Sequence, residues 1–277
     1  MRAGVSRRRR ASRARLSPAA LILLAGCTSA SMSDPSFPVV PGVQAIDLTW
    51  QPRAGMRLVY LVTTDVEASG ALTRPMADKD KKQHVSLTRT IEVTDVGPEH
   101  FDVRFAQDGS AIPATLRLSR TWVPEAVRPD NPTLDSFDRS RLDSTLRRLA
   151  QPLTQSAQFF GRWTVGETRP FDIGFTGMPD TSGSGQGTMT LRGVVSIEGR
   201  RAAAFDWTGN TEFLFTGDPG RGVPGRMVLT GREWRDLATG ASLRVTAKAD
   251  AEFTRQGRAT RVEFQTAEVL DLAASRL

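Results

Sequence analysis

From Ile46 to the C-terminus the apolar residues recur at every second position in short blocks. Leu87, Ile91 and Val93 stand on one side of "LTRTIEV", with Thr88, Thr90 and Glu92 on the other. Phe101, Val103 and Phe105 repeat the period, as do Leu116, Leu118 and Trp122. Phe171, Ile173 and Phe175 follow, then Met189, Leu191, Val195 and Ile197. A period of two is the mark of a strand with one buried face, and the unbroken apolar run "RLVYLVTT" (Arg57–Thr64) fits a strand covered on both faces. The blocks "AAAFDW", "EFLF", "RMVLTGREW", "SLRVTAKA", "AEFTR" and "RVEFQ" complete the series. Between them stand the turn signals "SGSGQG", "EGR", "GDPGRGVPG", "DLATG" and "QGR". "DLATG" (Asp236–Gly240) fits a hairpin on a type I turn, with Gly240 in the left-handed bulge position. The spacing predicts eleven or twelve antiparallel strands.

One segment has a different period. In "LDSFDRSRLDSTLRRLAQPL" the residues Leu134, Phe137, Leu142, Leu146, Leu149 and Leu153 form one helical stripe. Asp135–Arg139 and Asp143–Arg147 are acid-before-base pairs four residues apart, each worth about 0.2–0.5 kcal/mol on an exposed helix. Asn131 and Pro132 suit the start of a helix, and Pro152 suits its end. The pattern therefore predicts a mainly β protein: a large curved antiparallel sheet or half-open barrel of about eleven strands, with one amphipathic helix around 133–151. "VTDVGPEHFDVRF" (Val93–Phe105) also aligns without gaps on "VSIEGRRAAAFDW" (Val195–Trp207), and "AGMRLVYLV" resembles "VGETRPFDI" through Gly55 and Gly166. Two readings fit: duplicated halves, 46–130 and 160–277, joined by the helix, or the general likeness of any two hairpins.

Ahead of the strands lie three segments of other character. Residues 2–15 are cationic, and Leu16 to Leu24 form an apolar run too short for a bilayer, which needs about 20 residues. Residues 1–26 read as an export signal. Residues 28–45, rich in Ser and Pro, read as a tether. This division changes the meaning of the charge. The chain carries 37 Lys and Arg against 30 Asp and Glu, but seven arginines and no acid precede Cys27, so the remainder holds 30 bases against 30 acids. No basic footprint for nucleic acid survives.

Cys27 is the only cysteine in the chain. "LAGC" (Leu24-Ala25-Gly26-Cys27) resembles the lipobox of bacterial lipoproteins. That resemblance implies cleavage before Cys27, a diacylglycerol on its sulfur and often a further acyl group such as palmitate on its amine. Two or three acyl chains, at about 0.8 kcal/mol per buried CH₂, anchor a protein stably where one chain does not. Thr28 stands where many Gram-negative lipoproteins of the inner membrane carry Asp. The resemblance thus implies the periplasmic face of the outer membrane, with the membrane itself as a partner.

Catalytic chemistry finds little support in these residues. A nucleophile needs a base beside it, and the lone cysteine is assigned to lipid. "SGSGQG" lacks the five-residue nucleophile elbow and reads as a flexible hairpin loop. His84 and His100 read as surface residues, without the spacing of a zinc site. Acids such as Glu125 and Asp143 lie in polar context, so nothing marks them for raised pKa values. No catalytic residue, metal or cofactor is expected, and the chain is not expected to be an enzyme. Five tryptophans, Trp50, Trp122, Trp163, Trp207 and Trp234, lie on or near strands. They read either as core or as the lining of a groove for an apolar ligand, with Trp122, Trp163, Trp207 and Trp234 its candidate residues.

A helix on a large curved sheet, exported and lipid-anchored, resembles the lipoprotein-localisation carriers of Gram-negative bacteria and the related mycobacterial lipid-carrier lipoproteins. Those are half-open β-barrels with helices over the mouth and an apolar cavity for acyl chains. The resemblance implies a non-enzymatic envelope lipoprotein that binds a hydrophobic ligand. The alternative expectation is a scaffold lipoprotein docking another envelope protein.

Overall fold

The computed structural model describes residues 36–70, 82–178, 181–215, 222–255 and 257–277. Cys27 and the leader lie outside the described residues. Eleven strands form one antiparallel sheet in the order β6-β5-β4-β3-β2-β13-β12-β11-β10-β9-β8. The first meander comprises β2 (Arg57–Gly70), β3 (Lys82–Val96), β4 (His100–Gln107), β5 (Ser110–Ser119) and β6 (Pro124–Pro129). The second comprises β8 (Thr168–Met178), β9 (Thr181–Ile197), β10 (Arg200–Phe215), β11 (Val223–Asp236), β12 (Ser242–Arg255) and β13 (Arg258–Leu270). Pairing of β2 with β13 joins the two. A separate ribbon pairs β1 (Ala45–Leu48) with β7 (Gly161–Thr164).

The helix α1 (Ser136–Ser156) shows that the sheet is curled. Laid flat, eleven strands at about 4.8 Å spacing would put the edges β6 and β8 about 48 Å apart. One helix, about 10–12 Å across, nevertheless packs against both β6 and β8. The sheet is therefore a cup left open along one seam, and α1 lies in the seam. Glutamines complete the closure on the β8 side. Gln158 donates to the Asp172 carbonyl at 2.9 Å and accepts from the Asp172 N–H at 2.7 Å, as a neighbouring strand would. Gln151 and Gln155 both donate to the Gly174 carbonyl. The backbone groups of an edge strand, a template for aggregation when bare, are here occupied by side chains.

The expected helix is found with shifted ends. Asn131 makes a local turn to Thr133, and Asp135 is the N-cap, accepting from the Asp138 N–H at 2.8 Å. Pro152 does not end the helix. It forfeits the bond to the Arg148 carbonyl, but Leu153 and Ser156 beyond it are buried and keep the last turn on the core. Asp143 and Arg147 pair at 2.8 Å as expected. Leu146, Ala150 and Leu153 are the buried stripe, and Phe137 is exposed. The tether also stops earlier than expected: Phe37 packs edge-on against Trp234, and Pro38 and Val40 bond to Ser196 and Val194 of β9.

"SGSGQG" is not a loop. It lies within β9, where Gly183, Gly185 and Gly187 pair with Phe213, Thr211 and Gly209 of β10. Small residues on the inner face leave room for rings from the next strand. A Cβ on Gly187 would sit 2.4 Å from Phe171, and one on Gly231 would sit 2.3 Å from Trp207. Gly231→Val is accordingly expected to overpack the cup and cost about 1–3 kcal/mol. It should lower the urea midpoint and alter the Trp emission, whereas Lys248→Ala on the outer face should do neither. The turn at Asp236–Gly240 is as expected, with Gly240 at φ +77° and its N–H bonded to the Asp236 carbonyl at 2.8 Å.

Candidate functional site

A cavity of about 200 Å³ lies between the inner face of the cup and the last turns of α1. Its two sides differ in chemistry. Trp50, Trp122, Phe159, Phe171, Ile173, Trp207 and Leu229 are apolar, and Pro152 and Leu153 of α1 close over them. The other side carries Tyr60, Arg89, Glu233, Arg235 and Glu268. These five come from β2, β3, β11 and β13, which with β12 are consecutive strands of the sheet. Tyr60 and Arg89 are direct cross-strand partners, and Val245 stands between Glu233 and Glu268 in one register row.

The charges are arranged as two ion pairs. Arg235, 3% exposed, lies 2.5 Å from Glu233. It also donates to Ser156 Oγ at 2.6 Å and to the Gly240 carbonyl at 3.1 Å, which ties the end of α1 to the β11–β12 turn. Its guanidinium lies 4.5 Å from the centre of the Phe159 ring. Arg89 reaches Glu268 at 3.3 and 3.4 Å through Nη1. Burial pushes the Glu233 carboxyl above the usual range; Arg235 opposes that rise and Glu268 adds to it. Burial, with Glu268 beside it, raises the Tyr60 hydroxyl far above the usual phenol range, so it remains an O–H group. Glu233 is thus an acid whose burial raises its pKa, and it lies on the cavity wall with Glu268.

Trp122 shapes the floor of the cavity. It is not on a strand; it sits between β5 and β6 at φ +67°, a left-handed conformation that is strained for a bulky side chain. Contacts on three sides hold it. Its ring lies 5.1 Å from Trp50, 5.2 Å from Phe101 and 5.6 Å from Phe160, the last in stacked geometry. Strain of this kind persists only where the surroundings over-determine it, and it gathers at functional sites.

The four candidate tryptophans separate into two groups. Trp122 and Trp207 line the cavity, and Trp50 joins them. Trp163 and Trp234 do not. Trp163 belongs to β7, is fully buried against Phe205 at 5.1 Å, and donates Nε1 to the Phe159 carbonyl at 2.8 Å. Trp234 points out of the cup, because it alternates with Glu233 and Arg235, and Phe37 covers it there. Both are core residues. His84 pairs with Asp65 across β2 and β3 and is partly buried, apart from the cavity.

No protein family and no curated relative matches the chain. Among solved structures, a Bacteroides fragilis protein of YmcC-like fold is similar over 81% of this chain and 98% of its own, at 10% identity and a TM-score of 0.28. Ail, the attachment invasion locus protein of Yersinia pestis, is similar over 78% of this chain and 98% of its own, at 7% identity and a TM-score of 0.16. The fold and the cavity define a cup-shaped antiparallel β protein with a helix in its seam, and the functional reading rests on the cavity.

Proposed function

We propose that this chain is a cell-envelope lipoprotein, anchored through lipid on Cys27, that holds a hydrophobic ligand between α1 and its cupped sheet. The carrying observation is the cavity and the tryptophans that line one side of it. Small-molecule sites are concave, mostly apolar and fixed by a few polar groups, and this cavity has that composition. Anchoring is supported by Leu24–Cys27 and the cationic, apolar run ahead of it. The docking alternative gains less support. Among the described residues, the exposed large apolar side chains Val39, Leu61, Val123, Phe137, Leu214 and Val228 lie on six separate segments, so no single described element presents an apolar face.

The test is native mass spectrometry of the mature chain from Thr28, exported to the periplasm and purified without harsh detergent. The expected result is extra mass that organic extraction identifies as an apolar compound. Bare polypeptide mass, with no uptake from an added panel of lipids, would overturn the reading.

A further inference from the structure

The polar side of the cavity holds more hydrogen-bond donors than the protein itself uses. Arg89 has five N–H donors, and its hydrogen bonds among the described residues run only from Nη1, to Glu268. Tyr60 is 3% exposed, lines the cavity and has no hydrogen-bond partner for its hydroxyl among the described residues. It is the only tyrosine in the chain. Trp50 Nε1 and Arg235 Nε are likewise buried without acceptors. Both carboxylates on this wall are already engaged by arginines. An occupant that satisfies the wall must therefore bring acceptor oxygens.

The rest of the cavity says what carries those oxygens. Phe171, Ile173, Trp207 and Leu229 line the same cavity. Leu229 also packs against the cluster of Phe213, Met227 and Ala251 further up β10–β12. Beyond that cluster a wide hollow at the rim is lined by Phe213, Gly225 and Phe253. An apolar track thus leads from the donors towards the open end.

We propose that Tyr60 and Arg89 form a receptor for the carboxylate of a single-chain amphiphile, bound head inward with its tail along Trp207, Ile173 and Leu229. This rests on the hydrophobic-ligand reading and adds the head group and its orientation. Arg89 supplies a planar donor pair suited to carboxylate, and Tyr60, at the facing register position, supplies an O–H.

The experiment titrates the mature chain with dodecanoate, dodecanol and dodecylamine, followed by Trp emission and checked by native mass spectrometry. Wild type is expected to bind dodecanoate at least tenfold more tightly than either of the others. Arg89→Gln should weaken dodecanoate at least tenfold and dodecanol less than twofold. Tyr60→Phe, which keeps shape and folding, should weaken dodecanoate about three- to tenfold. Equal binding of all three probes by wild type, or preference for the amine, would overturn the head-group proposal while leaving the hydrophobic-ligand reading intact. Failure of all three to bind would overturn the carboxylate receptor; the hydrophobic-ligand reading falls only with the wider lipid panel.

Discussion

Arg235→Met is expected to cost about 3–5 kcal/mol of folding stability, the usual cost of removing one partner from a buried ion pair. The change strips three contacts at once: Glu233, Ser156 Oγ and the Gly240 carbonyl. The largest part of the cost is Glu233, left buried and charged without a counter-ion. Urea denaturation should show a lower midpoint at an unchanged slope. The double variant Glu233→Gln/Arg235→Met should recover most of the loss, because a neutral pair of similar volume needs no counter-charge. The pH dependence follows with a definite sign. Without Arg235, burial and Glu268 both raise the Glu233 pKa above its ordinary value of 4.5. A native state that binds the proton more tightly than the unfolded chain loses stability as pH rises through that window and regains it on acidification. The deficit of Arg235→Met should thus shrink as pH falls towards the ordinary carboxylate range, and the double variant should lack that slope. A loss below about 1 kcal/mol, flat with pH, would mean that water or backbone already solvates Glu233.

The same charged residues show what the sequence conceals. The strands and the helix were legible because periodicity is local: Phe101, Val103 and Phe105 reveal a buried face without any knowledge of its neighbours. Arg89 falls in the same phase as Leu87 and Ile91, Glu233 and Arg235 in that of Met227 and Leu229, and Glu268 in that of Val262 and Phe264. A charge in the apolar phase was the available signal for a polar wall inside the cup. What no single strand contains is the pairing of β2 with β13, which brings the chain's first long strand beside its last. Only that join places Tyr60 and Arg89 next to Glu268.

Two other features misled for physical reasons. A Gly- and Ser-rich cluster between periodic segments reads as a loop, yet in β9 Gly187 is the place where the Phe171 ring of the neighbouring strand lies against the sheet. The tryptophans divide by geometry that composition does not encode. Trp207 and Trp234 both sit on long strands, but one lies in the inner phase and the other in the outer. Trp122 reached the cavity through a left-handed turn, which strand periodicity cannot anticipate.

Leu146→Asp is expected to detach α1 and to cost more than about 3 kcal/mol, since the carboxylate would enter a fully apolar site with no partner. Leu146 is fully buried and anchors the helix between β6 and β8. Once the helix lifts, the backbone groups now held by Gln151, Gln155 and Gln158 become bare, as does the edge of β6. Bare edges pair with one another between molecules, so size-exclusion chromatography should show oligomers as well as a lowered melting temperature. Leu146→Met, which conserves volume, should cost under about 1.5 kcal/mol and stay monomeric. A gentler variant separates seam from core. Gln158→Ala removes both bonds to Asp172 while leaving Leu146 in place, so the chain should remain folded with faster hydrogen exchange at the Asp172 amide. Unchanged exchange there would mean that the β8 edge is protected by packing rather than by the glutamine. Faster exchange, with quicker ligand uptake, would make the α1–β8 seam the route by which the cavity fills.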